Sequence, residues 1–311
     1  MSEELKIAVM PRSSFSYFWK SFYAGVKQAE SDLLAANVRI TVQCDAPARD
    51  DDYEMQIEIY KKFSRQHVDG MVLAPCHSRM LVVPVEAAAG INIPIVVVDS
   101  DAEVTRKVSF VGTNNSAAGA LAAQRMGQQL KGKGTVLVLH HQKGSRNTEE
   151  REQGFARHLR QAYPEVEIPS TEEYAGATRD SARLASARLL AQFGGRLQGI
   201  FTPNETSTAG MLMALQGTRL PGTLVMIGFD YSDIYISSVR SGKIQGLVLQ
   251  KPFRMGELGV KTLVDHLQGK SVPAVIDTGT ALLTPENIDT PAIQAFLNAE
   301  TGKGEPAKAG R

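Results

Sequence analysis

The chain carries a repeated kind of apolar run that restricts its fold more than any other feature. Ile95-Val96-Val97-Val98 is the clearest case: short, rich in β-branched residues, and without polar alternation. A strand exposed on one face alternates apolar and polar residues. A strand covered on both faces does not, and in globular proteins that means a parallel sheet between layers of helices. Similar runs are expected at 5–10, 39–44, 70–74, 108–112, 135–139, 167–174, 199–202, 224–229 and 246–250. Amphipathic helical stretches are expected between most of them, at 18–36, 53–66, 115–130, 148–162, 179–193, 205–215 and 252–267. The fold class is therefore α/β.

With 311 residues the chain has room for two domains. Two sheets of about five strands are more economical than one of ten. The divide falls near Gly112-Thr113-Asn114-Asn115, where strand signals give way to a helix start that Asn115 or Ser116 can cap. Whether the last helix and strand return to the first lobe is not decided by the pattern. Residues 300–311 lack apolar periodicity and are expected to fray.

The segment from Phe15 to Tyr23 holds six aromatics, including the only tryptophan, just past the carboxyl end of the first strand. One helix face can bury Trp19, Phe22 and Tyr23. Phe15, Tyr17 and Phe18 exceed that need. They are read either as further core or as an apolar wall for a ring-shaped ligand, since open α/β sheets bind ligands at the carboxyl ends of their strands. Polar side chains recur at those ends: Asp99 after Ile95–Val98, Asn204 after Gly199–Pro203, Asp230 after Val225–Phe229 and Gln250 after Leu247–Leu249. One such residue is ordinarily a turn or cap. Four at corresponding places, with an aromatic wall, fit a polyhydroxylated ligand, because Asp, Asn, Gln and Arg each offer several directional hydrogen bonds. Arg151, early in a helix, opposes the macrodipole. It is read as a solvated surface residue or as a donor turned into a binding cleft.

Other functions lack their residues. Lys and Arg number 34 against 33 Asp and Glu, a net charge of +1 that provides no overall field for nucleic acid. No apolar run is long enough to span a bilayer. Phosphate-loop, dinucleotide and nucleophile-elbow patterns are absent. His140-His141 and Cys76-His77 lack metal-ligand spacing, so no metal and no cofactor is expected. Cys44 and Cys76 are expected to be free thiols. Too few residues precede Ile7 for a DNA-binding domain. Met1–Lys6 is charged and contains no signal peptide, which fits a cytoplasmic protein or an exported one whose leader has been removed.

An ordered series of landmarks resembles the ribose-binding type of periplasmic sugar-binding proteins, the type I receptors of ABC importers. They include Phe15–Trp19, Val68-Asp69-Gly70-Met71-Val72-Leu73-Ala74-Pro75, Ile93–Ser100 and Phe110–Asn115. They continue through Arg151-Glu152-Gln153-Gly154-Phe155, Gly199–Glu205, Ile227-Gly228-Phe229-Asp230 and Gln250-Lys251-Pro252. The resemblance covers about Leu5 to Phe296. It implies two Rossmann-like lobes joined by a three-segment hinge near Thr113–Asn114, Gln250–Lys251 and Thr278. The first lobe would comprise residues 1–113 and 251–277, the second 114–250 and 278–297, with 298–311 a flexible tail.

The resemblance also implies a monosaccharide or polyol receptor that closes by hinge motion and delivers its ligand to the permease of an ABC importer. It implies a periplasmic or extracytoplasmic location, a monomer, and no catalysis. The matching positions suggest that Phe18 and Trp19 stack on the sugar, with Asp99, Arg151, Asn204, Asp230 and Gln250 hydrogen-bonding its hydroxyls. Arg12 and Ser16 stand where the ribose binder has serine and asparagine, and Ser100 where it has arginine. No aromatic stands near Gly176-Ala177-Thr178. Arg12 is read as replacing the donors lost at Ser100, and the ligand is left open among hexoses, amino sugars, sugar alcohols and acidic sugars. The alternative is a ligand-sensing module of the same fold, partnering a membrane sensor or serving a regulator.

Overall fold

The apolar runs form two six-stranded sheets, one in each of two units. The computed structural model describes residues 4–14, 16–81, 93–102, 104, 107–216, 218 and 224–300. In the first unit, β1 (Leu5–Met10), β2 (Ile40–Cys44), β3 (Gly70–Leu73), β4 (Ile95–Val98), β5 (Lys107–Gly112) and β11 (Val275–Asp277) lie in the order β11-β5-β4-β3-β1-β2. Every pairing in that sheet is parallel. Successive residues of β1 serve opposite cores. Ile7 and Val9 join Phe22, Val26, Val72 and Val96, whereas Ala8 and Met10 join Ile59, Phe63, Met71 and Val97. Both faces are covered, so polar alternation is absent. Each buried Val, Ile, Met or Phe side chain among them contributes about 1.5–3 kcal/mol.

The second unit repeats the plan. Its strands are β6 (Lys133–Val138), β7 (Glu165–Glu167), β8 (Gly199–Phe201), β9 (Val225–Phe229), β10 (Gly246–Leu249) and β12 (Ala281–Leu283), in the order β12-β10-β9-β8-β6-β7. Among the described residues only β12 is antiparallel to its neighbour in this sheet. The long strand expected over 167–174 is instead the short β7, with an isolated bridge from Tyr174 to His140. The registers correspond: Ile7 pairs with Gly70 as Val136 pairs with Gly199, and Val98 with Val111 as Phe229 with Val248.

The helices correspond too. In the first unit α1 (Tyr17–Ala35) packs on α8 (Pro252–Leu267), with α2 (Tyr53–Arg65) on the opposite face of the sheet. In the second, α3 (Asn115–Gln129) packs on α4 (Arg146–Ala162), and α5 (Arg179–Phe193) packs on α6 (Glu205–Leu215), followed by α7 (Asp233–Arg240). Glycines allow the close pairs. A Cβ on Gly25 would lie 1.8 Å from the Phe253 carbonyl oxygen, and one on Gly256 2.1 Å from that of Phe22. Gly119 and Gly154 stand likewise 2.1 and 2.2 Å from the carbonyl oxygens of Arg151 and Ser116.

The chain passes between the units at Gly112–Thr113, Gln250–Lys251 and Thr278–Gly279, and passes back at Ile288–Asp289. Of the span 278–297 expected in the second lobe, 279–288 lies in the second unit, whereas 278 and 289–297 lie in the first. Helix α9 (Pro291–Glu300) belongs to the first unit, as do residues 289 and 290. The Ser21 hydroxyl donates to the Glu300 carbonyl oxygen, and the Glu300 carboxylate accepts from the Phe253 N–H at 2.9 Å. Lys251 Nζ lies 5.4 Å from the centre of the Phe296 ring. Of the expected tail, 298–300 is helical, and the remainder lies outside the described residues.

Gly25→Ala and Gly154→Ala should each destabilise their unit by at least about 1–3 kcal/mol, because the added methyl meets backbone. Gly195→Ala, with nothing within 4 Å of its added carbon, should be neutral or slightly stabilising. Denaturant unfolding of the three variants is the measurement. Burial pushes the Glu300 carboxyl from 4.5 up to about 7. A raised carboxyl favours the fold when protonated, so this contribution is full below pH 4.5 and is lost as pH rises through about 7. Glu300→Gln should remove that loss in unfolding curves taken across the interval.

Candidate ligand-binding site

In each unit the polar side chains gather at the carboxyl ends of the parallel strands, where two-sided burial stops. At the end of β1, Arg12 is only 4% exposed. Its Nη2 donates to the Cys76 carbonyl oxygen at 3.4 Å, and its Nη1 lies 4.0 Å from Asp99 Oδ2. Asp99 ends β4 with φ of +62°. Its N–H still donates to Val111, while the Ser100 N–H turns back to the Val98 carbonyl oxygen at 2.7 Å. This is a γ-turn, and it halts the strand and leaves the carboxylate at the sheet edge. A non-glycine residue at positive φ is uncommon, and such outliers concentrate at functional sites.

Ser16 caps α1, its hydroxyl oxygen accepting from the Trp19 N–H at 3.2 Å. The two aromatics proposed to stack on a sugar are placed differently. Trp19 is 3% exposed within the core, edge-on to Phe22 at 5.5 Å between ring centres. Phe18 is half-buried and meets Trp19 edge-on at 4.8 Å. Phe15 lies outside the described residues. Gln56 was not singled out from sequence, yet it ties the strand ends together. Its Nε2 donates to Ala74 and Pro11 carbonyl oxygens at 2.9 and 3.3 Å, and its Oε1 accepts from the Cys76 N–H at 2.8 Å. A glutamine on the stripe that carries Ile59, Tyr60 and Phe63 was the available signal. The Cys76 thiol is pushed up to about 12 by burial, which makes it an inert part of this loop.

In the second unit Arg151, Asp230 and Gln250 form one buried network. Arg151 projects from α4 and is 1% exposed, which excludes the surface reading. Its Nε donates to Asn115 Oδ1 at 2.8 Å, Nη1 to the Pro203 carbonyl oxygen at 3.0 Å, and Nη2 to Gln250 Oε1 at 2.6 Å. Its guanidinium carbon lies 4.6 Å from the centre of the Phe229 ring, close enough for a cation–π attraction. Gln250 also accepts from the Thr113 hydroxyl at 3.0 Å and donates from Nε2 to Asp230 Oδ1 at 2.5 Å. Asp230 Oδ2 accepts from the Glu205 N–H at 2.8 Å. Asp230 has φ of +69°, and its N–H donates to the Val248 carbonyl oxygen, so it matches Asp99 in position and backbone conformation.

Asn204 is outside the side-chain hydrogen bonds of that network. It caps α6, its Oδ1 accepting from the Ser207 N–H at 3.1 Å, while its neighbours Pro203 and Glu205 contact Arg151 and Asp230. Thr113, Asn115 and Glu205 were missed from sequence. Asn114, not Asn115 or Ser116, caps α3 by accepting from Ala117, which leaves the Asn115 amide oxygen to Arg151. Glu205 is held by Arg179 at 2.5 Å, and its carbonyl oxygen accepts from the Tyr235 hydroxyl at 2.7 Å.

Next to Arg151, the Glu152 carboxylate clamps the end of β6. Oε1 accepts from the His141 N–H at 3.1 Å, and Oε2 lies 2.6 Å from His140 Nδ1. The hydrogen bond to Glu152 raises the His140 pKa above its ordinary value, against the opposing effect of burial. Among the described residues no group of three His, Cys, Asp or Glu side chains is placed to hold a metal ion. No described helix is long and apolar enough to cross a membrane.

With a raised imidazole pKa, the His140–Glu152 pair stabilises the fold fully below about pH 6.5, the unfolded value, and less as pH climbs through the folded one. Glu152→Gln should bring the His140 titration, followed by NMR, back toward that ordinary value. It should also flatten this part of the pH dependence of unfolding.

The chain matches the family model of the periplasmic binding protein domain over residues 7–271. It is 26% identical to the ribose import binding protein RbsB of Bacillus subtilis, over 86% of this chain and 83% of that one. It is 24% identical to the D-allose-binding periplasmic protein of Escherichia coli, over 86% of each. Among solved structures, a carbohydrate transporter solute-binding protein of Agrobacterium radiobacter in complex with D-arabinose superposes with a TM-score of 0.87. It is 28% identical, with 96% of this chain and all of that one covered. The two parallel sheets, their strand-end polar networks and a match that spans most of the chain agree: this protein belongs to the periplasmic binding protein family.

Proposed function

We propose that the protein is the soluble receptor of an ABC importer for a monosaccharide or related polyol, acting without turnover as a monomer outside the cytoplasmic membrane. The observation that carries this reading is the matched pair Asp99 and Asp230. Each is a buried carboxylate at the end of its strand, held at positive φ, beside a buried arginine or a network containing one. Such carboxylates accept from adjacent sugar hydroxyls, and arginine donates to hydroxyl and ring oxygens. Because the partners are already ordered, binding costs little further immobilisation of side chains.

The site residues are proposed in named roles. Arg12 and Asp99 serve the ligand from the first unit, with Phe18 offering the accessible aromatic face, Trp19 backing it from the core and Ser16 fixing the helix start. Arg151, Asp230 and Gln250 serve it from the second, with Asn204 at the first turn of α6. The permease recognises the population of conformations that the bound sugar selects. The relatives' ligands, ribose, allose and arabinose, all present runs of neighbouring hydroxyls, which fits such a set of acceptors and donors.

A thermal-shift screen of D-ribose, D-allose, D-arabinose, D-fucose, D-tagatose and xylitol, followed by calorimetric titration, tests the proposal. At least one should raise the unfolding temperature by mass action. Asp99→Asn and Asp230→Asn should each weaken the best ligand about tenfold or more, the loss of a buried charge-assisted hydrogen bond. A panel without any binder would overturn the sugar assignment.

A further inference from the structure

The two units can be aligned residue by residue through their ladders, and the alignment reaches one side chain that the proposed site leaves out. Ile7 and Val136 both pair with the first glycine of the neighbouring strand, Gly70 and Gly199. Counting forward by the same number of residues from each leads to Arg12 in the first unit and His141 in the second. The same alignment superposes Asp99 on Asp230 and Thr113 on Gln250, through the pairings of Val98 with Val111 and of Phe229 with Val248. The positions therefore correspond at three strand ends.

His141 has the burial and surroundings of a binding residue. It is 1% exposed, just beyond the carboxyl end of β6. The stretch that follows is polar and buried as well: Ser145, Asn147, Thr148 and Arg151 are each 5% exposed or less. Its backbone is held from two sides. The His141 N–H donates to Glu152 Oε1 at 3.1 Å, and its carbonyl oxygen accepts from the Gly176 N–H at 2.8 Å. The ring is thus delivered to the strand end by fixed backbone, as binding sites require.

We propose that His141 is a specificity-determining residue of the second unit, standing at the mouth of β6 as Arg12 stands at the mouth of β1, and hydrogen-bonding a hydroxyl of the bound sugar. This rests on the sugar-receptor reading above. A neutral imidazole offers one donor and one acceptor in the ring plane, so it selects the direction of a hydroxyl. The residue consequently affects which epimer is preferred more than whether sugars bind.

The six-compound panel is titrated against the wild-type protein, His141→Gln and the neighbouring control His140→Gln. His141→Gln should weaken the best ligand about threefold to tenfold, the range of one neutral hydrogen bond, and should reorder the epimers, with the unfolding temperature of the free protein nearly unchanged. His140→Gln should keep the wild-type order. Wild-type affinities and order in His141→Gln would overturn the role of His141 and leave the receptor reading intact. If that variant does not fold, the His141 ring signal of the wild-type protein is followed by NMR as the best ligand is added. A shift of that signal larger than that of His140 supports the proposal, and an unmoved signal overturns it. Failure of every panel compound to bind the wild-type protein overturns both readings together.

Discussion

A parallel strand covered on both faces cannot carry a charge along its length, because an ion there would lie in apolar surroundings with neither water nor a partner. Polar groups are confined to its ends. Both sheets obey this constraint: the interiors of β3, β4, β8 and β10 are wholly buried and apolar, and the functional candidates begin where each ladder stops. Asp99 and Asp230 occupy that boundary in the same left-handed conformation, each still donating its N–H to the adjacent strand. The backbone turns away one residue beyond the ladder, so the carboxylate is anchored by the sheet yet free of the core.

Buried charge at this boundary is tolerable only if it is well partnered. The second unit meets the condition with Gln250, which accepts from Arg151 and Thr113 on one side of its amide and donates to Asp230 on the other. A neutral amide thus links a cation and an anion and sets the spacing between them. The first unit takes a different route. Arg12 approaches Asp99 directly at 4.0 Å, and the strand ends around them are fixed by the Gln56 amide. The two units share one scaffold and differ in the chemistry at its rim. Shape and register are common to both, whereas recognition is written in a few side chains.

Much of this organisation is legible in the chain. Runs such as Ile95–Val98 announce two-sided burial, and the polar residue that ends each run marks the sheet edge, which is why Asp99, Asp230 and Gln250 could be named. The gaps have a common physical origin. Gln56, Thr113 and Asn115 act through partners such as Ala74, Gln250 and Arg151, and a single sequence does not encode which distant carbonyl or guanidinium an amide will meet. Helix periodicity placed Trp19 on the buried face with Phe22 and left Phe18 in excess, and Trp19 does enter the core with Phe18 at its margin. Helix α9 carries no mark of its unit: Glu300 had to be seen against the first turn of α8.

Composition and periodicity by themselves determined the α/β class, the presence of two sheets and the strand ends at which polar chemistry had to appear, because these follow from local burial patterns along the chain. Tertiary structure alone decided that Arg151 is the centre of a buried network, that α9 returns to the first unit and that His141 stands in register with Arg12. Each of these depends on which residues distant in sequence become neighbours in space, and that is settled by ladder register and helix packing after the local elements have formed.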